Sequence, residues 1–229
     1  MFICAKGESF SFTREIGVGL VESASLLTSL ILRENPKFLI FVGSAGSYDK
    51  DIGLFDIFTS CSATQIEYSF IQDKSYTPID NKVEIVSYET SQIFHKDSTK
   101  IICDSANQQS DTDSSDCDTI PHDSTKSQHI FKNALEAMRD FPSSIVNSSN
   151  YICTDILYAK QMKNVGIALE NMEFFSVLKV AKYFKIPAFG IFCVTNYCDK
   201  NAHNDFLANH KNAQKALETN ARRIYDKYF

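Results

Sequence analysis

Short apolar runs alternate with amphipathic stretches along most of the chain, and the spacing within each decides what it predicts. Met1–Ala5 and Phe38–Val42 are continuous apolar runs of strand length. Val21–Glu34 repeats its apolar residues at helical spacing up to the Asn35-Pro36 pair, which disfavours a further turn. Ile52–Ser60 and Lys82–Tyr88 read as strands, and His129–Asp140 as a helix stopped near Pro142. The C-terminal half predicts short strands at Ser144–Val146 and Gly166–Leu169 around a helix from Asp155 to Lys163. A helix at Glu173–Phe184, a strand at Ala188–Val194 and a long helix at Asp205–Tyr228 follow. Strands alternating with helices predict a three-layer α/β/α sandwich, with a mixed, mostly buried sheet and helices on both faces. Ligands in such sheets bind beyond the C-terminal ends of the strands.

One stretch breaks the alternation. Residues 96–128 hold seven Ser and seven Asp in 33 positions, too little apolar surface to offset the entropy of ordering. The expected organisation is one domain over 1–229 with a polar, disordered insert at 96–128. Asp111, Asp113, Asp116 and Asp118 are spaced like the start of a calcium loop but lack its turn Gly and terminal Glu, so no cation site is expected there.

Composition narrows the function. With 23 basic against 28 acidic residues and no basic patch, nucleic acid is not an expected partner. Apolar runs such as Ala188–Val194 are far shorter than a membrane span and the first residues lack signal-peptide order, so a soluble, cytoplasmic protein is expected. Seven Cys, an odd number without CxxC spacing, read as reduced thiols with no metal site.

Four constellations could carry chemistry. Leu39–Asp49 delivers a strand into Gly43-Ser44-Ala45-Gly46, whose backbone N–H groups can face an anion or a sugar hydroxyl; a plain tight turn would use the same residues. Gly17 and Gly19 precede the first helix without the third Gly of a dinucleotide fingerprint, and read as a close helix-to-strand approach. Glu170, Asn171 and Glu173 stand at a strand-to-helix junction, where carboxylates can reach a ligand and Asn171 can cap the helix. Thr195 and Asn196 leave the last strand ahead of Asp199, His203 and His210. The two His, seven apart, share a helical face that solvent could equally occupy.

Taken in order, these segments resemble the nucleoside phosphorylase and nucleosidase superfamily. The similarity runs through IGVGLVESA from Ile16, FVGSAGSYDKDIGLFDIF from Phe41, IVNSSNYI from Ile145, ALENMEFF from Ala168 and FCVTNYCD from Phe192. It looks closest to the compact purine nucleoside phosphorylase-like proteins of bacteria. The resemblance implies an enzyme that cleaves the N-glycosidic bond of inosine or guanosine with phosphate, needs no cofactor beyond that co-substrate, and forms a homo-oligomer whose subunits complete each other's pockets.

It also implies roles. Ser44 would border the phosphate or the nucleophilic water, with Ala45 and Gly46 lining ribose and base. Tyr151 would stack on the base with Ile152 beside it. Met172 would pack on the sugar next to Asn171, and Glu173 would accept hydrogen bonds from the ribose hydroxyls. His210, at a family-like spacing from Thr195-Asn196, would meet the 5′-hydroxyl. Asn196 points to the base: nucleosidases and six-subunit phosphorylases usually carry Asp there, which can protonate N7, whereas the three-subunit enzymes for 6-oxopurines carry Asn. An amide cannot give up a proton, but it can bridge a protonated N7 and an O6 carbonyl.

Three departures bear on the mechanism. Phe41 stands where six-subunit phosphorylases carry a phosphate-binding Arg. The carboxylate that reads purine N1 is missing beside Tyr151, with Asp155 the nearest substitute. The segment before Ile16 is short, leaving Glu8 as a candidate water-activating Glu and Arg14 as a candidate phosphate ligand. Two alternatives therefore stay open: a purine nucleosidase, including the methylthioadenosine/adenosylhomocysteine type, and a nucleoside-binding protein without turnover.

Overall fold

A computed structural model describes residues 1–85 and 124–228. The insert expected at 96–128 lies outside the described residues except for its last five, and so do Asp111, Asp113, Asp116 and Asp118.

Among the described residues, nine strands form one mixed sheet. Its spine is β3 (Leu39–Ser47) beside β9 (Ala188–Tyr197), two nearly continuous runs of buried residues. They pair in parallel from Leu39 against Ala188 to Ser47 against Tyr197, with a bulge between Ala45 and Gly46. The other edge of β3 is shared between two strands. β1 (Phe2–Cys4) holds Ile40 and Phe41 in parallel, and β8 (Ile167–Glu170) holds Gly46 and Ser47 antiparallel. Between them, Val42–Ala45 has no strand on that edge among the described residues. Beyond β1 lies β2 (Thr13–Glu15). Beyond β8 follow β7 (Ile145–Asn147), β5 (Ser62–Thr64) and β6 (Lys82–Glu84), while β4 (Ile57–Ser60) pairs antiparallel with β9.

Helices cover both faces. α1 (Gly19–Glu34) and α5 (Phe174–Tyr183) bury Leu27, Ile31, Phe174 and Leu178 on one. α3 (Ser124–Glu136) and α6 (Ala202–Tyr228) bury Phe131, Leu135, Leu217 and Ile224 on the other. α2 (Tyr68–Ile71) and α4 (Ile156–Asn164) close the far end around Tyr158 and Met162. The mixed α/β sandwich is the architecture the sequence predicts. α1 stops where predicted because Asn35 takes a left-handed φ of 45° and donates its N–H to Ile31 O at 2.9 Å. No described helix is long and apolar enough to cross a membrane.

Several boundaries differ. Gly43–Gly46 is not a turn but the continuation of β3, because β9 supplies partners throughout. Ile52–Asp56 does not extend: Gly53 donates its N–H to the Asp56 carboxylate at 2.9 Å, and β4 starts only at Ile57. α3 begins at Ser124, inside the expected insert. β2, β5 and α2, three or four residues each, are too short for periodicity to reveal.

Candidate active site

The gap on the β3 edge is where the site is built. Ser44 has an N–H and a C=O facing no strand there, and two side chains satisfy them. Glu8, in the loop after β1, accepts the Ser44 N–H with Oε2 at 3.0 Å, and its Oε1 accepts the Ser44 hydroxyl. Asn171 Nδ2 donates to Ser44 O at 3.1 Å. The other end of Asn171 caps α5: its Oδ1 accepts Glu173 N and Phe174 N, each at 2.9 Å. The N-cap residue itself is Glu173, and the Asn171 amide both holds the start of α5 and closes the β3 edge.

The cap aims Glu173. Its carboxylate, 3% exposed, accepts the Gly19 N–H at 2.9 Å, and burial pushes its pKa up to about 7. Gly17 and Gly19 therefore do more than allow close packing. Both have positive φ, 86° and 78°, and at Gly19 an added Cβ would lie 2.7 Å from Asn150 Oδ1. The left-handed turn is what points the Gly19 amide at Glu173.

On the other side of β3, Asn196 is 6% exposed. Thr195 Oγ1 donates to its Oδ1 at 2.8 Å, while its Nδ2 makes only a 3.3 Å bond to Tyr197 O. Thr195 O is in turn held by Asn209 Nδ2 at 2.8 Å. Gly46 lies between Asn196 and Glu170, in register with both, and a Cβ there would meet Asn196 Nδ2 and Glu170 Cγ at 3.0 Å each.

These groups surround a cavity of about 520 Å³, large enough for a nucleoside. Of the residues named from the sequence, Ser44, Ala45, Gly46, Tyr151, Ile152, Asn171, Met172, Glu173, Thr195, Asn196 and His210 line it, together with Glu8. His203, exposed to solvent, also borders it. His210 Nδ1 is buried without a hydrogen-bond partner among the described residues, its ring against Phe206 with centroids 5.0 Å apart. Tyr151 and Ile152, 80% and 48% exposed, form the rim.

Other candidates lie elsewhere. Arg14 pairs with Glu34 at 3.6 Å and is not part of the lining. Asp155 caps α4, accepting Leu157 N at 2.7 Å and the Tyr68 hydroxyl at 2.9 Å, and lines a neighbouring cavity. Asp199 pairs with Lys50 at 2.8 Å. Phe41 is fully buried between Phe174 and Phe192, ring centroids 5.8 and 5.7 Å away, so the place of the family Arg belongs to the core. Glu170, read from the sequence as a carboxylate able to reach a ligand but given no role by the resemblance, also lines the cavity. Burial raises its pKa to about 7, and it accepts the Cys153 N–H with both oxygens, at 3.2 and 3.3 Å. Strand alternation would direct Glu170 away from Leu169, which is buried, but no local signal says what it meets there.

The family described as the phosphorylase superfamily matches residues 2–228. Among solved structures, a mutant of the Helicobacter pylori nucleosidase MTAN with 5′-methylthioadenosine in its active site is similar, with 14% identity over 99% of this chain and 97% of that one and a TM-score of 0.68. The native futalosine hydrolase of Helicobacter pylori gives 14%, 99%, 96% and 0.68. An S-adenosylhomocysteine nucleosidase from Streptococcus pyogenes in complex with 5-methylthiotubericidin gives 12%, 99%, 95% and 0.67. These likenesses are of fold. No curated protein matches the sequence.

Proposed function

This chain belongs to the phosphorylase superfamily, and from that premise we propose that it is a purine nucleosidase, hydrolysing the N-glycosidic bond with water. Glu8 carries the reading. Its carboxylate occupies the Ser44 N–H and hydroxyl, the donors an incoming phosphate would need, and keeps lone pairs free to take a proton from water. A phosphate would have to displace Glu8 and share the cavity with Glu173. Two like unit charges 4 Å apart repel by about 4 kcal/mol near a protein surface. Among the described residues the lining offers no Arg, and its one Lys, Lys6, is exposed. The solved relatives named above, two nucleosidases and a hydrolase, agree with this reading.

In the proposed step the water oxygen bonds to C1′ as the C1′–N9 bond breaks, Glu8 takes the water proton, and the bonding electrons leave with the base, which takes up a solvent proton at N7. Glu173 accepts from the ribose hydroxyls, bonds that strengthen as positive charge grows on the sugar, and Met172 packs on its face. Asn196, oriented by Thr195, bridges the departing base without transferring a proton, Oδ1 accepting from the protonated N7 and Nδ2 donating to O6, which suits a 6-oxopurine. Tyr151 and Ile152 cover the base above Ser44–Gly46, and His210 Nδ1 takes the 5′ group. No cofactor takes part. The exposed rim of Tyr151, Ile152 and Leu207 fits completion of the pocket by a second copy of the chain.

Phosphorolysis of the same nucleosides is the second reading, favoured by Asn196 alone. Incubation with inosine, guanosine and methylthioadenosine, with and without phosphate, tests both. Hydrolysis releases base and free sugar at a rate indifferent to phosphate. Phosphate-dependent release with sugar 1-phosphate supports the second reading, and thermal stabilisation without base release favours a binding protein.

A further inference from the structure

In the wall between the candidate pocket and the neighbouring cavity, three side chains converge that the proposed reaction does not use. Glu170 ends β8. Cys198 follows β9, anchored by its N–H to Ser47 O at 2.9 Å. Cys153 lies just past Tyr151 and Ile152. One ligand atom from each, two Sγ and a carboxylate oxygen, lies within 4.8 Å of the other two. Cys198 is 1% exposed and Cys153 is half-buried. Glu170 and Cys153 line the neighbouring cavity, about 330 Å³, which gives an ion a way in.

We propose that Cys153, Glu170 and Cys198 form a binding site for a soft divalent cation of the zinc class, its fourth position open to water from the neighbouring cavity. Two thiolates with one carboxylate is a donor set such ions select and magnesium or calcium does not. Zinc–sulfur bonds near 2.3 Å and zinc–oxygen bonds near 2.0–2.2 Å require ligand atoms roughly 3.5–4 Å apart in a tetrahedron, a small contraction of the cluster. The exchange balances without an oxidant: the ion enters and the two thiols lose their protons to solvent. The consequence falls on the rim, because a metal holding Cys153 ties the adjacent Tyr151 and Ile152 to the ends of β8 and β9. Neither Cys spacing nor a motif reveals this site, since the three ligands come from separate elements.

The test is titration of the full, chelator-treated chain with Co²⁺ under a phosphine reductant, which keeps the thiols reduced. One equivalent should produce thiolate-to-cobalt charge-transfer absorption and tetrahedral visible bands, both abolished by Zn²⁺. Cys153→Ser and Cys198→Ser should each weaken binding at least ~10-fold, and Glu170→Gln by a similar factor. The double variant Cys103→Ser/Cys117→Ser should keep the spectrum. Zn²⁺ should raise the Tm of the wild type but not of Cys153→Ser, a half-buried substitution that leaves the core intact. Absence of charge-transfer absorption in the folded wild type overturns the proposal. So does its survival in both Cys153→Ser and Cys198→Ser, or its loss in the Cys103→Ser/Cys117→Ser variant.

Discussion

Glu8→Gln removes the base while leaving its scaffold. Gln keeps the length of the side chain and one carbonyl oxygen, enough to accept the Ser44 N–H that Glu8 now takes at 3.0 Å. The Ser44 hydroxyl, at present a donor to Glu8, can rotate to accept from the new NH₂. What disappears is the charge and the capacity to take a proton from water. A positioned general base contributes ~10²–10⁴-fold to rate, about 3–5 kcal/mol of barrier. Stability should move far less. Charge-assisted bonds become neutral ones, a loss of about 1 kcal/mol, and the desolvation of a buried carboxylate is relieved in exchange.

The assay follows base release by chromatography at saturating nucleoside in phosphate-free buffer, with thermal melting alongside. A kcat lowered ~100-fold or more, with Tm within a few degrees of wild type, is the expected pair of results. Glu8→Ala makes a second point, since it frees the Ser44 N–H for an external anion. Added phosphate should stabilise that variant more than the wild type. The reasoning fails if Glu8→Gln keeps kcat/KM within about threefold of wild type, or if wild-type base release climbs with phosphate.

Three further outcomes follow from the geometry. Asn196→Ala should lower turnover ~10²–10³-fold by deleting one preorganised donor, whereas Asn196→Asp supplies a proton and should raise the rate on adenine nucleosides relative to inosine; equal ratios in wild type and Asn196→Asp would sink the assignment. Glu173 must be ionised to accept from ribose, and its pKa is raised to about 7, so kcat/KM should fall as pH drops below 7, and that limb should vanish from the residual activity of Glu173→Gln. The same shift acts on stability: between about pH 4.5 and 7 the folded state holds the proton more tightly, so its contribution is present at pH 4.5 and lost as pH rises through 7. Melting of Glu173→Gln against wild type should therefore favour the variant increasingly from pH 5 to 8, by up to about 3 kcal/mol. Gly19→Ala meets a φ of 78° and Asn150 Oδ1 at 2.7 Å and should cost about 1–2 kcal/mol in a denaturant melt while raising KM, because the amide leaves Glu173.

The long elements were legible because each had enough residues to show its period and a stop signal of its own, as α1 does in Asn35-Pro36. The order of the motifs picks out a set of candidate residues, from Ser44 to His210, that the fold brings around one cavity. What the sequence hid were facts about pairing between distant segments. Gly43–Gly46 looks like a turn until β9 is known to run beside it. The role of Glu8 depends on β1 and β8 each holding a different half of the β3 edge, which no local window contains. What Glu170 meets was hidden for the same reason, since Cys153 and Cys198 beside it come from two other segments.

That edge also predicts what restoring the family's missing Arg would do. Phe41 lies two residues before Gly43 on β3, its ring fully buried against Phe174 and Phe192. The Gly43 Cβ position is 2.9 Å from Phe41 Cζ and 3.1 Å from Glu8 Oε2. A guanidinium at residue 41 therefore has two destinations. Left among the aromatic rings it is a buried, unpaired charge costing several kcal/mol. Extended past Gly43 it meets Glu8, forms an ion pair and withdraws the carboxylate from Ser44. Neither outcome creates a phosphate site, because the first unfolds the sheet centre and the second trades the water base for a neutralised pair. Phe41→Arg should thus lower Tm or abolish hydrolysis, and in both cases yield no sugar 1-phosphate. A Phe41→Arg chain with wild-type Tm and phosphate-dependent turnover would show that the nucleophile is not decided by competition between Glu8 and the incoming anion for the Ser44 amide.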